Sequence, residues 1–116
     1  MNTDYRRAKR RKAGQEIKVM DTMTEEYIGT IGNLSETGLL IVVNHPLVSD
    51  ALYQLRFELN DIRGQRLAVE VGAHELWSDD AAAPGQVWTG LRFIDIPPES
   101  KINIQAWVEQ PGSQYV

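Results

Sequence analysis

Tyr53-Gln54-Leu55-Arg56-Phe57-Glu58-Leu59 alternates apolar and polar side chains without a break. Successive side chains of a strand point to opposite faces, so this run predicts a strand with one buried and one wet face. The next residues, Asn60-Asp61-Ile62-Arg63-Gly64, are turn formers, and Leu67, Val69 and Val71 then alternate with Ala68, Glu70 and Gly72. Two alternating runs on either side of a turn predict a hairpin, with its second strand continuing to Trp77. The same kind of pattern extends outward in both directions.

Toward the N-terminus, Leu39-Leu40-Ile41-Val42-Val43 is continuously apolar and too short for a helix, which predicts a buried strand ended by Asn44-His45-Pro46. Tyr27-Ile28-Gly29-Thr30-Ile31-Gly32 reads as another, its glycines marking a bend or a close backbone approach. Before the polar connection from Asp21 to Glu26, Ile17 and Val19 alternate with Lys18 and Met20 in a short first strand. Toward the C-terminus, Ser78 to Gln86 is a loop by composition, and Val87, Thr89, Leu91 and Phe93 form a sixth strand. Pro97-Pro98-Glu99 opens a helix, since proline fits the first turn and Glu99 complements the helix dipole. Ile102 and Ala106 offer an apolar stripe, joined by Ile104, Val108 and Trp107 as the anchor, before Pro111-Gly112 ends the helix. The expected fold is therefore all-β dominated: a six-stranded antiparallel β-barrel with a C-terminal α-helix. The expected organisation is a flexible basic arm over residues 1–14, the barrel and helix over 15–112, and a tail over 113–116.

The 116 residues suit one domain with a single modest core. With 42% hydrophobic and 24% charged residues, the composition is that of a folded globular domain. No cysteine is present, which excludes disulfides and thiolate metal sites and fits a cytoplasmic location. No apolar run reaches 18 residues, so no membrane span is expected, and no apolar region follows the basic start to make a secretory signal. The net charge of −4 hides an asymmetry. Residues 1–12 hold six Arg/Lys and one Asp, a net +5, while the remainder holds six basic and fifteen acidic side chains, a net −9. An acidic body with one cationic arm disfavours broad nucleic-acid binding and suits a small polyanion held at one place.

Two segments carry the chemistry. The run Arg6-Arg7-Ala8-Lys9-Arg10-Arg11-Lys12 contains the spacing Arg-x-x-x-Arg twice, as Arg6/Arg10 and as Arg7/Arg11. A guanidinium is a planar fork that grips phosphate oxygens or the O6/N7 edge of guanine. Asn33-Leu34-Ser35-Glu36-Thr37-Gly38 is a turn-like run in which Asn33 and Ser35 can project hydrogen-bonding groups and Gly38 can take a positive φ. Trp77 and Trp88 flank the 78–86 loop; Trp77 is a candidate for stacking on a purine, whereas Trp88 reads as half-buried core.

An Arg-x-x-x-Arg arm, about twenty residues of strand and turn, and then Asn-x-Ser-x-x-Gly resembles the PilZ domain family. The late Gly90-Leu91-Arg92-Phe93 before a terminal helix also looks like that family's last strand. The resemblance runs from Arg6 to about Gln110 and implies the barrel already reached from periodicity. It also implies a receptor for cyclic di-GMP, bound by Arg6, Arg7, Arg10, Arg11, Asn33, Ser35, Gly38 and Trp77. The arm would order over the ligand and signal to a partner protein, with motility, adhesion or biofilm exopolysaccharide as the setting. No cofactor beyond the ligand is implied. The alternative is a PilZ-like adaptor that binds a protein without any nucleotide; a single-stranded nucleic-acid binder fits the acidic body less well. Here Lys12-Ala13-Gly14-Gln15 separates the last arginine from the first strand, which leaves both arginine frames open.

Catalytic signals are sparse. His74 and Glu75 fall on opposite faces of a strand, His45 has no partner in sequence, and no phosphate loop or nucleophile motif occurs. The chain is not expected to be an enzyme.

Overall fold

The computed structural model describes residues 8–116, so Arg6 and Arg7 lie outside the described residues. In chain order the elements are β1 (Arg11–Lys12), β2 (Lys18–Asp21), β3 (Glu26–Leu34), β4 (Gly38–Val43), β5 (Leu52–Asn60), β6 (Arg66–Asp80), β7 (Val87–Asp95) and α1 (Pro98–Val108). All pairings are antiparallel. The sheet runs β3-β2-β5-β6-β7-β4 and closes where β4 pairs again with β3, giving a six-stranded barrel, and β1 is an extra short strand on β3.

The β5–β6 hairpin keeps the predicted parity. Leu55, Phe57, Leu59, Val69 and Val71 are buried, and Arg56, Glu58 and Glu70 face solvent. Its turn is held by Asp61, whose carboxylate accepts from the backbone N–H groups of Arg63 and Gln65, both at 2.8 Å. The apolar β4 run is buried through Leu39, Ile41 and Val43, as a closed barrel with a one-sided core requires.

Several boundaries differ from the expected ones. Asn33 and Leu34 belong to β3 rather than to the following turn, because β1 and β4 both pair with them. Ser78, Asp79 and Asp80 continue β6 through pairing with Thr89, Trp88 and Val87, so the loop shrinks to residues 81–86. In α1 the buried stripe is Ser100, Ile104, Trp107 and Val108; Ile102 is 62% exposed and Ala106 faces solvent. The helix lies on β5 and β6, where the amide of Asn103 donates to Ala68 O (2.8 Å) and Glu70 N–H donates to Ser100 Oγ (3.0 Å). These contacts fix its rotation and turn Ile102 away from the core.

Part of the expected arm and part of the expected tail are paired. Residues 11–12 are laid on β3 instead of standing off as an arm, and the C-terminal residues lie on the outer edge of β1. There Lys12 N–H donates to Gln114 O (2.8 Å), Val116 N–H donates to Arg10 O (2.9 Å), and Arg11 bridges Tyr115. Backbone donors and acceptors of a two-residue strand would otherwise be exposed on one side, and pairing satisfies them.

Candidate ligand-binding site

Arg10 immediately precedes β1 and Arg11 opens it, and the two side chains leave the backbone in opposite directions. Arg10 turns toward the β3–β4 corner. Its Nε donates to Asn33 Oδ1 at 2.8 Å and its Nη1 donates to Ser35 Oγ at 3.1 Å. Partial burial lowers the Arg10 pKa from the ordinary arginine value, yet a guanidinium stays protonated in proteins. Two of its five N–H donors are engaged, and three remain for an acceptor.

Ser35 has no exposed surface. Its hydroxyl also accepts from Thr37 N–H (3.1 Å), lies 2.9 Å from Thr37 Oγ1 and reaches Gly38 O (3.4 Å). Ser35 N–H donates to Gly38 O (2.9 Å), closing the turn, and Phe93 N–H donates to Thr37 O (2.9 Å), tying it to β7. Ser35 and the 8%-exposed Asn33 therefore act inward on the turn and on Arg10, not outward toward solvent. Gly38 is not needed for a positive φ, since it is absent from the residues in that region. Its requirement is space: a Cβ there would stand 2.4 Å from Leu91 O, where β4 meets β7.

Arg10 opens onto a hollow of about 620 Å³ on the outside of the barrel. Asn33, Thr37 and Gly38 form one wall, Arg92 another, and Leu40, Leu76, Trp77 and Gly90 line the rest. Trp77 reaches this surface because of a bulge between Glu75 and Trp77. Parity from Ala73 and the buried Glu75 would send Trp77 into the barrel, but the extra residue resets it, and it sits 48% exposed. It lies across β7 so closely that a Cβ on Gly90 would fall 2.3 Å from its Nε1. The hollow thus joins a cationic mouth to an apolar, aromatic surface. That combination suits a flat anionic ligand.

Arg11 goes elsewhere. Its Nη1 donates to Trp107 O (2.6 Å) and to Gln110 Oε1 (2.8 Å), and its guanidinium carbon sits 4.2 Å from the centre of the Trp107 ring. Burial lowers the Arg11 pKa, and the nearby Tyr115 phenol opposes that shift. The last turn of α1 has no basic residue of its own, so Arg11 supplies the cation its carbonyls attract.

Of the residues singled out in the sequence, Arg10, Asn33, Ser35, Gly38 and Trp77 come together, Arg11 does not, and Arg6 and Arg7 lie outside the described residues. Thr37, Leu40, Leu76, Gly90 and Arg92 were missed as lining residues. The signal for Arg92 was its outward parity on β7 between Leu91 and Phe93; the bulge at Leu76 left none. Trp88 is half-buried against Gly32, in keeping with core packing. His74 is bonded to Asp50 (2.5 Å), while Glu75 is buried and accepts from Asp50 N–H (2.8 Å) and the Ser78 hydroxyl (2.9 Å). Among the described residues no group of three or more His, Cys, Asp or Glu side chains could hold a metal, and no helix is long and apolar enough to cross a membrane.

A closed antiparallel barrel capped by one helix, with a basic strand laid beside the Asn-x-Ser turn, defines a small barrel module built around a strand-edge site. The PilZ domain model matches residues 4–110, and the chain belongs to the PilZ domain family, whose members are receptor and adaptor domains. Among solved structures, the Bacillus subtilis inhibitor of motility MotI/DgrA superposes with a TM-score of 0.72 at 16% identity, covering 89% of this chain and 49% of that one. This chain thus spans about half the length of MotI/DgrA. The PilZ domain of YcgR from Escherichia coli, solved with c-di-GMP, superposes with a TM-score of 0.63 at 14% identity over 90% of this chain and 88% of that one. At these identities the likeness concerns the fold. No curated protein sequence matches the chain significantly.

Proposed function

We propose that this chain is a non-enzymatic receptor for cyclic di-GMP. The observation that carries the reading is the seating of Arg10. Both side chains of the Asn-x-Ser turn hold one guanidinium at the mouth of a hollow with an aromatic surface. Family membership and the c-di-GMP in the YcgR PilZ structure support the choice of ligand. In this reading the motif frame is Arg6/Arg10. Arg10 and Arg6 grip phosphate and guanine, and Trp77 stacks on a base. Asn33 and Ser35 are positioning residues that aim Arg10. Gly38 lets the turn sit close to β7.

The signal leaves through β1. Ligand bound to Arg10 fixes the strand that also carries Arg11, and so steadies the end of α1 and the C-terminal residues as a surface for a partner protein. Isothermal titration of the full chain with cyclic di-GMP tests the proposal. Saturable binding at micromolar protein, abolished or strongly weakened in Arg10→Ala, is expected. No binding by the unaltered chain, or equal binding by that variant, overturns it.

A further inference from the structure

We propose that Arg92 is a second cationic contact for the ligand, on the side of the hollow away from Arg10. The inference rests on the receptor reading above and extends its site by a residue outside both recognised motifs. Arg92 pairs across the sheet with Gly38 on one side and His74 on the other, one strand beyond the turn that holds Arg10. Adjacent strands lie about 4.8 Å apart, so β3 and β7 flank β4 with roughly 10 Å between them. Arg10 is fastened to β3 at Asn33, and Arg92 rises from β7, so the two guanidiniums stand at opposite margins of one hollow.

Two further observations bear on Arg92. Among the described residues it enters no ion pair and no side-chain hydrogen bond, as is also true of Arg56 and Arg63, whereas Arg66 pairs with Glu58 (3.7 Å) and Arg11 is bonded to α1. Unlike Arg56 and Arg63, it lines this hollow, whose lining residues include no carboxylate to act as a counter-charge. A ligand that meets both arginines must present an anionic group or a purine edge at each end. A cyclic dinucleotide does so with two phosphates and two bases. A mononucleotide has one of each.

The test compares the unaltered chain with Arg92→Ala and Arg92→Lys by isothermal titration with cyclic di-GMP, with thermal melts confirming that each variant is folded. Arg92 is exposed and its backbone pairing does not depend on the side chain, so both variants retain the barrel. Arg92→Ala is expected to bind roughly ten- to a hundredfold more weakly, the effect of losing charge-assisted hydrogen bonds. Arg92→Lys recovers part of the loss, because an ammonium keeps the charge but not the two-pronged geometry. Binding by Arg92→Ala within about twofold of the unaltered chain overturns this inference and leaves the receptor reading intact. Absence of binding by the unaltered chain overturns the receptor reading, and this inference with it.

Discussion

Arg10 and Arg11 are consecutive and carry the same charge, one just before β1 and the other its first residue, yet they serve opposite sides of the molecule. Arg10 is gathered by Asn33 and Ser35 at the hollow, and Arg11 caps the end of α1 and stacks on Trp107. What separates them is parity alone. A one-residue slip of β1 would exchange their faces, placing Arg11 at the hollow and Arg10 at the helix. The register Arg11↔Leu34 and Lys12↔Asn33 is therefore the feature that seats one arginine at the hollow and the other at the helix end. In the receptor proposed above, fixing Arg10 would also steady Arg11.

The largest effect that can break this division comes from Arg10→Ala. Removing the arginine held by Asn33 and Ser35 should weaken cyclic di-GMP binding about a hundredfold, as expected for the loss of several charge-assisted bonds. The melting temperature should move little, because Ser35 keeps its bonds to Thr37 and Gly38. A titration that shows unchanged affinity would mean that parity does not assign the roles.

Arg11→Ala should do the reverse. It loses two hydrogen bonds to the end of α1 and a cation–π contact with Trp107, a cost of about 1–2 kcal/mol. The melting temperature should fall by roughly 4–8 °C, and affinity should change no more than a few-fold. Thermal denaturation beside titration separates the two variants. If Arg11→Ala instead matched Arg10→Ala in lost affinity, the helix end and the hollow would be one energetic unit.

Most of the barrel was legible because its strands obey period-two patterning, and the β5–β6 hairpin does so from Leu55 to Val71. The terminal helix was legible as an element but not in its rotation. Ile102 and Ala106 look like a stripe by residue type, and only tertiary bonds from Asn103 and Ser100 to β6 reveal that they face out. In the site, residue types pointed to Arg10, Asn33 and Ser35, but spacing could not choose between Arg6/Arg10 and Arg7/Arg11. The choice depends on the register of a two-residue strand, which no local periodicity encodes. Trp77 reads as a stacking candidate by residue type alone, and its exposure rests on a bulge that leaves no mark in Glu75-Leu76-Trp77.

Gly90→Ala sharpens the comparison from the side of the hollow. A Cβ at that position cannot coexist with the present placement of the Trp77 indole, whose Nε1 would lie 2.3 Å away. Trp77 is half-exposed and free to swing outward, so stability should change by less than about 1 kcal/mol. The aromatic surface is displaced all the same. Affinity should fall several-fold, with a shift in tryptophan emission that the Arg11→Ala variant does not show. Unaltered affinity together with a shifted emission would remove Trp77 from the binding surface.

The smallest effect tests the strut. The Tyr115 hydroxyl donates to Val108 O at 2.7 Å, and its residue bridges Arg11 across the outer edge of β1. Tyr115→Phe keeps the ring and removes that one bond, a net loss of about 0.5–1 kcal/mol. Cyclic di-GMP affinity should stay within twofold. What should change is local: amide hydrogen exchange at Lys12, whose N–H donates to Gln114 O, should quicken by a few-fold while exchange in β5 and β6 is unchanged. Faster exchange confined to β1 would show that the C-terminal residues secure the register separating Arg10 from Arg11. Uniform exchange across the barrel would assign that register to β3 alone, where Leu34 and Asn33 pair with Arg11 and Lys12.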